Sequence, residues 1–243
     1  MRRLRHFALP GVVMVGLACF SLGGASGIAE SKPPTVRWDE ELPGCTFSRS
    51  EDGKYHYGLW SGDVGITVSV DSQELEKVRR RAEPFFGVLV GMRYRGKGGL
   101  DVSGENVSLE FVQHFRVIQT AIDPDAFSAK VQSDADELDH QTAREIAKHP
   151  ERKATKEASM RAYQKDTAEL LEFVSKNSFR PAHLDPGNQE ASGWIFFSTT
   201  SKWINGWKTQ EEFILRIPLD GKIFEFPFRL PPRVGELLLR KRE

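Results

Sequence analysis

Between residues 123 and 177 the hydrophobic period of the chain changes, and that change limits the folds open to it. Inside this segment Phe127, Val131, Ala135, Leu138, Thr142 and Ile146 are spaced 4, 4, 3, 4, 4, which draws one stripe on an α-helix. Pro150 interrupts the pattern and suits the first position of a following helix. Met160, Tyr163, Thr167, Leu170 and Val174 then follow at 3, 4, 3, 4. The segment contains no glycine and is densely charged, with 12 acidic and 9 basic residues. It reads as two helices joined by a short corner, an antiparallel hairpin whose seams face each other or a sheet.

On both sides of the hairpin the period is two. Ile66, Val68 and Val70 alternate with Thr67, Ser69 and Asp71, as expected of a half-buried strand. Phe85 to Tyr94 is a longer apolar run suited to a central strand, and Val107, Leu109 and Phe111 alternate again before Phe115 to Ala121. After the helices come Gly193 to Thr199, Glu211 to Ile217 and Ile223 to Arg229. In the last of these Phe224, Phe226 and Phe228 share one face, with Glu225, Pro227 and Arg229 on the other. Pro227 lacks a backbone donor, so this strand is expected at an edge, or bonded on one side there. Leu219-Asp220-Gly221-Lys222 supplies the preceding turn. The expected fold is mainly β with a helical insertion: an antiparallel β-sandwich of roughly eight or nine strands plus a two-helix hairpin. A small β-barrel is the alternative.

Arg2, Arg3 and Arg5, the apolar stretch Leu9 to Phe20 and the small residues Gly23 to Ala29 have the layout of a secretory signal peptide, cleaved after Ala29 or near Gly27. Cys19 offers a second reading, a lipid anchor, although the leucine of Gly16-Leu17-Ala18-Cys19 stands one place late for a lipoprotein signal. Residues 30–44, with Lys32-Pro33-Pro34 and Pro43-Gly44, read as a linker that joins the fold late. A single domain then spans 45–230, and 231–243 is a basic amphipathic tail. The mature chain keeps one cysteine, Cys45, which reads as a small buried hydrophobe. Removal of the leader leaves 31 basic against 34 acidic residues, a balance that argues against nucleic acid as a partner.

Motifs that carry chemistry are scarce. No Gly-x-Ser-x-Gly elbow, His-Glu-x-x-His or P-loop occurs in the sequence. Asp136 and His140, and Glu145 and His149, are four apart on helical faces, but each pair falls short of a metal site. Asp134, Asp136, Glu137 and Asp139 read as a solvated helix face. No cofactor is implied. Asp185-Pro186-Gly187 is a turn in which proline presets φ, and Gly193 permits close packing. Trp194 and Phe196 share one face of their strand, Ile195 and Phe197 the other, so both faces are expected to be covered. Trp203 and Trp207 flank Asn205-Gly206, the strongest short turn dipeptide. With Asn205 and Lys208 they form the candidate ligand site, where exposed rings would stack a sugar; the competing reading is that they clamp a hairpin. Tyr55, Tyr57 and Trp60 form a second aromatic cluster, read as core or sheet surface.

Leu184-x-Pro186-Gly187, then Gly193-Trp194-Ile195-Phe196-Phe197, then Phe224-Glu225-Phe226 resembles the second half of bacterial secreted immunoglobulin-like β-sandwich domains of the extracellular-antigen-like superfamily. The resemblance covers residues 60–122 and 178–230 and departs at the helical segment, which such domains normally lack. It implies an exported, non-enzymatic accessory or adhesion role and transfers no catalytic residues.

These observations predict an extracytoplasmic envelope protein that works by binding another envelope or cell-surface protein, or a glycan. The other two readings are carbohydrate recognition through Trp203 and Trp207, and a secreted hydrolase whose carboxylates meet only in space.

Overall fold

The computed structural model describes residues 32–51, 54–71, 85–113, 117–198 and 211–230. Their elements, in chain order, are β1 (Thr35–Arg37), β2 (Cys45–Arg49), β3 (Lys54–Ser61), β4 (Val64–Asp71), β5 (Phe85–Tyr94), β6 (Leu100–Val102), β7 (Ser108–Phe111), β8 (Val117–Thr120), α1 (Pro124–Lys148), α2 (Lys153–Asn177), β9 (Ala182–Leu184), β10 (Glu190–Ser198), β11 (Glu211–Leu219) and β12 (Lys222–Leu230). A single 3-10 turn, Pro150–Arg152, joins the helices.

The strands form two five-stranded sheets, in the orders β1-β12-β11-β7-β8 and β10-β5-β4-β3-β2, and a small sheet of β6 and β9. All pairs are antiparallel except β1 with β12. The two large sheets share one core. Phe86 of β5 stacks on Phe213 of β11 with centroids 5.6 Å apart, and Tyr57 of β3 meets Phe228 of β12 at 6.2 Å. Burial pushes the Tyr57 hydroxyl well above the ordinary tyrosine range, and Tyr55 adds to the shift. The strands are divided between separate sheets, so the barrel alternative is not what the chain forms. There are twelve strands among the described residues rather than eight or nine. The excess comes from β1, β6 and β9, each three residues long and too short to display a period.

The alternating phenylalanines behave as their spacing requires. Phe224, Phe226 and Phe228 are buried, as are Phe213, Leu215 and Ile217 opposite them. Pro227 pairs with Ile214 of β11, while the pairing of β1 stops at Glu225, so the proline stands where no second ladder needs its missing donor. Asp220 and Gly221 both have positive φ, 52° and 65°, the backbone of a type I′ hairpin turn. Part of the stretch read as a linker is structured: Thr35–Arg37 is β1, and Trp38 is buried with its indole N–H donating to the Thr46 carbonyl at 3.1 Å. Cys45 is buried and unbridged.

A charged ladder crosses the outer face of the first sheet. Arg216 of β11 reaches Glu110 of β7 at 2.6 Å and Glu225 of β12 at 2.7 Å, and Arg37 of β1 reaches Glu225 at 3.2 Å. Desolvation opposes the charge on Arg216, but the bonds to Glu225 and Glu110 outweigh it and hold its pKa above the ordinary arginine value.

Candidate functional site

The two helices lie where the sequence places them. α1 opens with Asp123 as N-cap, its carboxylate accepting from the Asp125 and Ala126 amides at 2.9 and 2.7 Å, and with Pro124 in the first turn. Phe127, Val131 and Ala135 are buried along α1, as are Met160, Thr167, Leu170 and Val174 along α2. In proteins most helical stability comes from packing of an amphipathic face rather than from intrinsic propensity, so the stability of the pair rests largely on what these stripes cover.

At the root they cover the sheet. Phe127, Val131, Leu170 and Val174 form one cluster with Phe85 of β5 and Phe196 of β10, edged by Ile122, Phe173 and Trp194. Phe85 meets Phe127 and Phe196 edge-on at 5.3 and 5.2 Å. β10 therefore has both faces covered, with Ile195 and Phe197 in the main core and Phe196 under the helices. Each apolar side chain fully buried here contributes about 1.5–3 kcal/mol. The backbone fastens the same place. The Ile122 amide, just before α1, donates to the Phe196 carbonyl, and the Phe179 amide, just after α2, donates to the Trp194 carbonyl, both at 2.8 Å. Arg180 adds a two-toothed contact to Asp125, at 2.9 and 3.0 Å, across the two legs. Both ends of the insertion thus sit on one strand edge, which also removes that edge from solvent pairing. A cavity of about 220 Å³ remains at the root, and its lining includes Glu105, Ile122, Asp123, Phe179, Arg180 and Trp194.

Away from the root the hairpin changes character. Among the described residues, the apolar cluster that joins helices to sheet stops at Val131 and Leu170. From Ala135 to Lys148 α1 runs on for about 20 Å at 1.5 Å per residue. Leu138 there is 37% exposed. Asp134, Asp136 and Glu137 are bound along the helix: Lys130 to Asp134 at 2.8 Å, Gln132 to Asp136 at 2.9 Å and Gln141 to Glu137 at 2.8 Å. At the tip Lys156 pairs with Glu145 across the helices and holds its carboxyl below the usual range, while His149 turns to Glu151 at 3.3 Å. Glu145 and His149 are therefore engaged elsewhere rather than facing a common ion. Among the described residues no three His, Cys, Asp or Glu side chains come together as metal ligands, and no helix is long and apolar enough to cross a membrane.

The aromatic clusters separate. Trp203, Asn205, Trp207 and Lys208, the residues singled out for ligand binding, lie outside the described residues. Tyr55 and Tyr57 point into the core. Trp60 lies on the opposite face of β3, flat against Gly65, where an added Cβ would come within 2.6 Å of the ring. The Arg95 guanidinium lies over the ring at 4.1 Å. Both faces of this indole are occupied, so it is not an open stacking platform. The Asp185 turn forms, its carboxylate accepting from the Gly187 and Asn188 amides at 2.7 and 2.8 Å. The pairing of Arg180 with Asp125 spans 55 residues and carries no local signal in the sequence. No protein-family model, curated protein or solved structure matches the chain.

Proposed function

We propose that this is an exported envelope protein that acts by binding rather than by catalysis, and that the outer half of the α1–α2 hairpin is its recognition surface. One observation carries the reading. The insertion is fixed at its root by two backbone bonds, an ion pair and an apolar cluster, whereas beyond Val131 and Leu170 it leaves that cluster and presents charged side chains. A connection between two strands does not need 25-residue helices. A rigid base beneath a long charged arm suits presentation to another protein of the envelope or cell surface. The basic, apolar and small-residue segments of positions 1–29 support an extracytoplasmic location, with lipidation at Cys19 as the anchored variant. The resemblance to secreted immunoglobulin-like sandwiches, together with two sheets facing across one core, supports the same accessory role and the finer fold assignment.

Site-specific photocrosslinking in intact cells tests the reading. A photoreactive residue at Asp139 or Arg161, on the outer half, is expected to give a discrete crosslinked partner. The same residue at Thr120, in β8 below the hairpin, is expected to give none. Crosslinking at Thr120 alone would remove the outer hairpin from consideration.

A further inference from the structure

We infer that a second copy of this chain packs along α1 of the hairpin, antiparallel to it, as a two-fold symmetric dimer held by charge. The inference rests on the reading of the hairpin as an exposed recognition arm, and it assigns an occupant to one side of α1.

Charge is divided along the hairpin by height. The lower part, residues 123–139 and 162–177, carries nine acidic residues against three basic ones. The upper part, 140–161, carries three acidic residues against six basic ones. The turn at Pro150–Arg152 folds the basic stretch back on itself, so the net charge changes sign once along the arm. Two such arms laid side by side in opposite directions bring unlike poles together.

One stripe of α1 repeats this division residue by residue. Asp134, Glu137, Gln141, Arg144 and Lys148 are spaced 3, 4, 3, 4 and all are exposed. Residues at these spacings are neighbours on one helix surface. Two anions precede Gln141 and two cations follow it. Asp134 lies seven residues before Gln141 and Lys148 seven after, while Glu137 lies four before and Arg144 three after. A two-fold axis beside Gln141 therefore sets Lys148 of one copy opposite Asp134 of the other, about 10 Å from the axis, and Arg144 opposite Glu137, about 5 Å from it. Each contact occurs twice, as an isologous interface requires. A parallel arrangement would set like charges against each other.

The cations of the stripe are not spent within their own chain. Lys156, Lys153 and Arg152 are held by Glu145, Glu157 and Glu151. Among the described residues no carboxylate pairs with Arg144 or Lys148. Asp134 is bonded to Lys130 and Glu137 to Gln141, but a carboxylate accepts more than one donor. Leu138, exposed on α1, stands beside the centre of the stripe, where the second copy would cover it. The mirrored signs select the occupant. An acidic partner would use Arg144 and Lys148 and leave Asp134 and Glu137 opposed to it, whereas a second copy uses all four.

Sedimentation equilibrium of the full chain tests the inference, with reductant present so that Cys19 cannot join two copies. Exposed ion pairs are individually weak and screened by salt. Dimer is expected at about 0.1 M salt and monomer at about 1 M, where the screening length falls from about 10 Å to about 3 Å. Arg144→Glu with Lys148→Glu makes the stripe acidic throughout, and Asp134→Lys with Glu137→Lys makes it basic. Each double variant alone is expected to lose about tenfold or more in self-affinity at unchanged melting temperature. An equal mixture of the two is expected to dimerise again, because each acidic stripe then meets a basic one. Should either double variant not fold, Gln141→Cys keeps the test. Beside the axis it meets its own copy and is expected to form a disulfide-linked dimer on mild oxidation. Lys130→Cys, on the same face but about 33 Å from its copy, lies beyond disulfide reach and is expected to form none. A parent that stays monomeric at low salt, a dimer that survives both double variants, a mixture that fails to re-associate, or equal crosslinking at 130 and 141 would overturn the inference. A folded, monomeric parent whose Asp139 still crosslinks a different protein would overturn it alone and leave the recognition reading standing.

Discussion

The Phe179 amide donates to the Trp194 carbonyl at 2.8 Å, so the chain leaving α2 runs along β10 with its backbone pressed on Gly193. A methyl group at position 193 would meet main chain on a segment tied to the helix, which cannot swing aside as a side chain could. Gly193→Ala is therefore expected to destabilise by about 1–3 kcal/mol, the usual cost of overpacking. Gly91→Ala, on the same sheet, is expected to be neutral or slightly stabilising. Urea unfolding of the two variants decides it, and equal stability would mean that the root of the hairpin is not tightly seated.

Phe226 and Glu225 are neighbours on β12 with opposite surroundings. Phe226 is fully buried, and its truncation to alanine is expected to cost about 3–5 kcal/mol. The alternation alone makes Glu225 a harmless surface residue. The structure corrects that expectation, because Glu225 accepts from both Arg216 and Arg37 in the ladder. Glu225→Ala is expected to cost about 1–2 kcal/mol. Arg37→Ala, at the exposed end of the ladder, is expected to cost less than about 1 kcal/mol. Thermal unfolding that ranked Glu225→Ala with Arg37→Ala would show that the ladder contributes nothing.

His183 of β9 faces Asp101 of β6 in register, with Nδ1 2.7 Å from the carboxylate. The bond to Asp101 raises the imidazole pKa above its ordinary value, and Asp185 adds to the shift. A pKa raised by folding means that the charged pair favours the folded form fully below the unfolded value of about 6.5 and ceases to do so as pH rises through the folded value. In an NMR titration the His183 midpoint is expected to fall in Asp101→Asn. A midpoint that does not move would mean that the pair is not formed in solution.

Export predicts the state of the native protein. Intact mass and N-terminal sequencing are expected to place the first residue near Glu30. A diacylglycerol-bearing Cys19 would assign the anchored form, and a retained Met1 would contradict export in either form.

Strand and helix periods were legible wherever an element was long enough to repeat. The spacing of Phe127, Val131, Leu170 and Val174 named the buried stripe, and the two-faced apolar pattern of Trp194 to Phe197 implied a strand covered on both sides. β1, with Thr35–Arg37 hidden in a proline-rich stretch, was not legible, because three residues carry no period and its pairing with β12 lies 188 positions away.

The division of the hairpin into a seated root and a presenting outer half is tested most directly by cutting between them. Replacing residues 139–162 with a short Asn-Gly turn joins the helices near Leu138 and Tyr163 and keeps Phe127, Val131, Leu170 and Val174 over Phe85 and Phe196. Thermal unfolding and partner crosslinking of this variant are measured beside the full chain. The expected result is a cooperative transition within a few degrees of the parent, about what loss of 1 kcal/mol produces, together with loss of the crosslinked partner. Undiminished crosslinking by a folded variant would contradict the account, as would a sheet that no longer folds once the outer helices are gone.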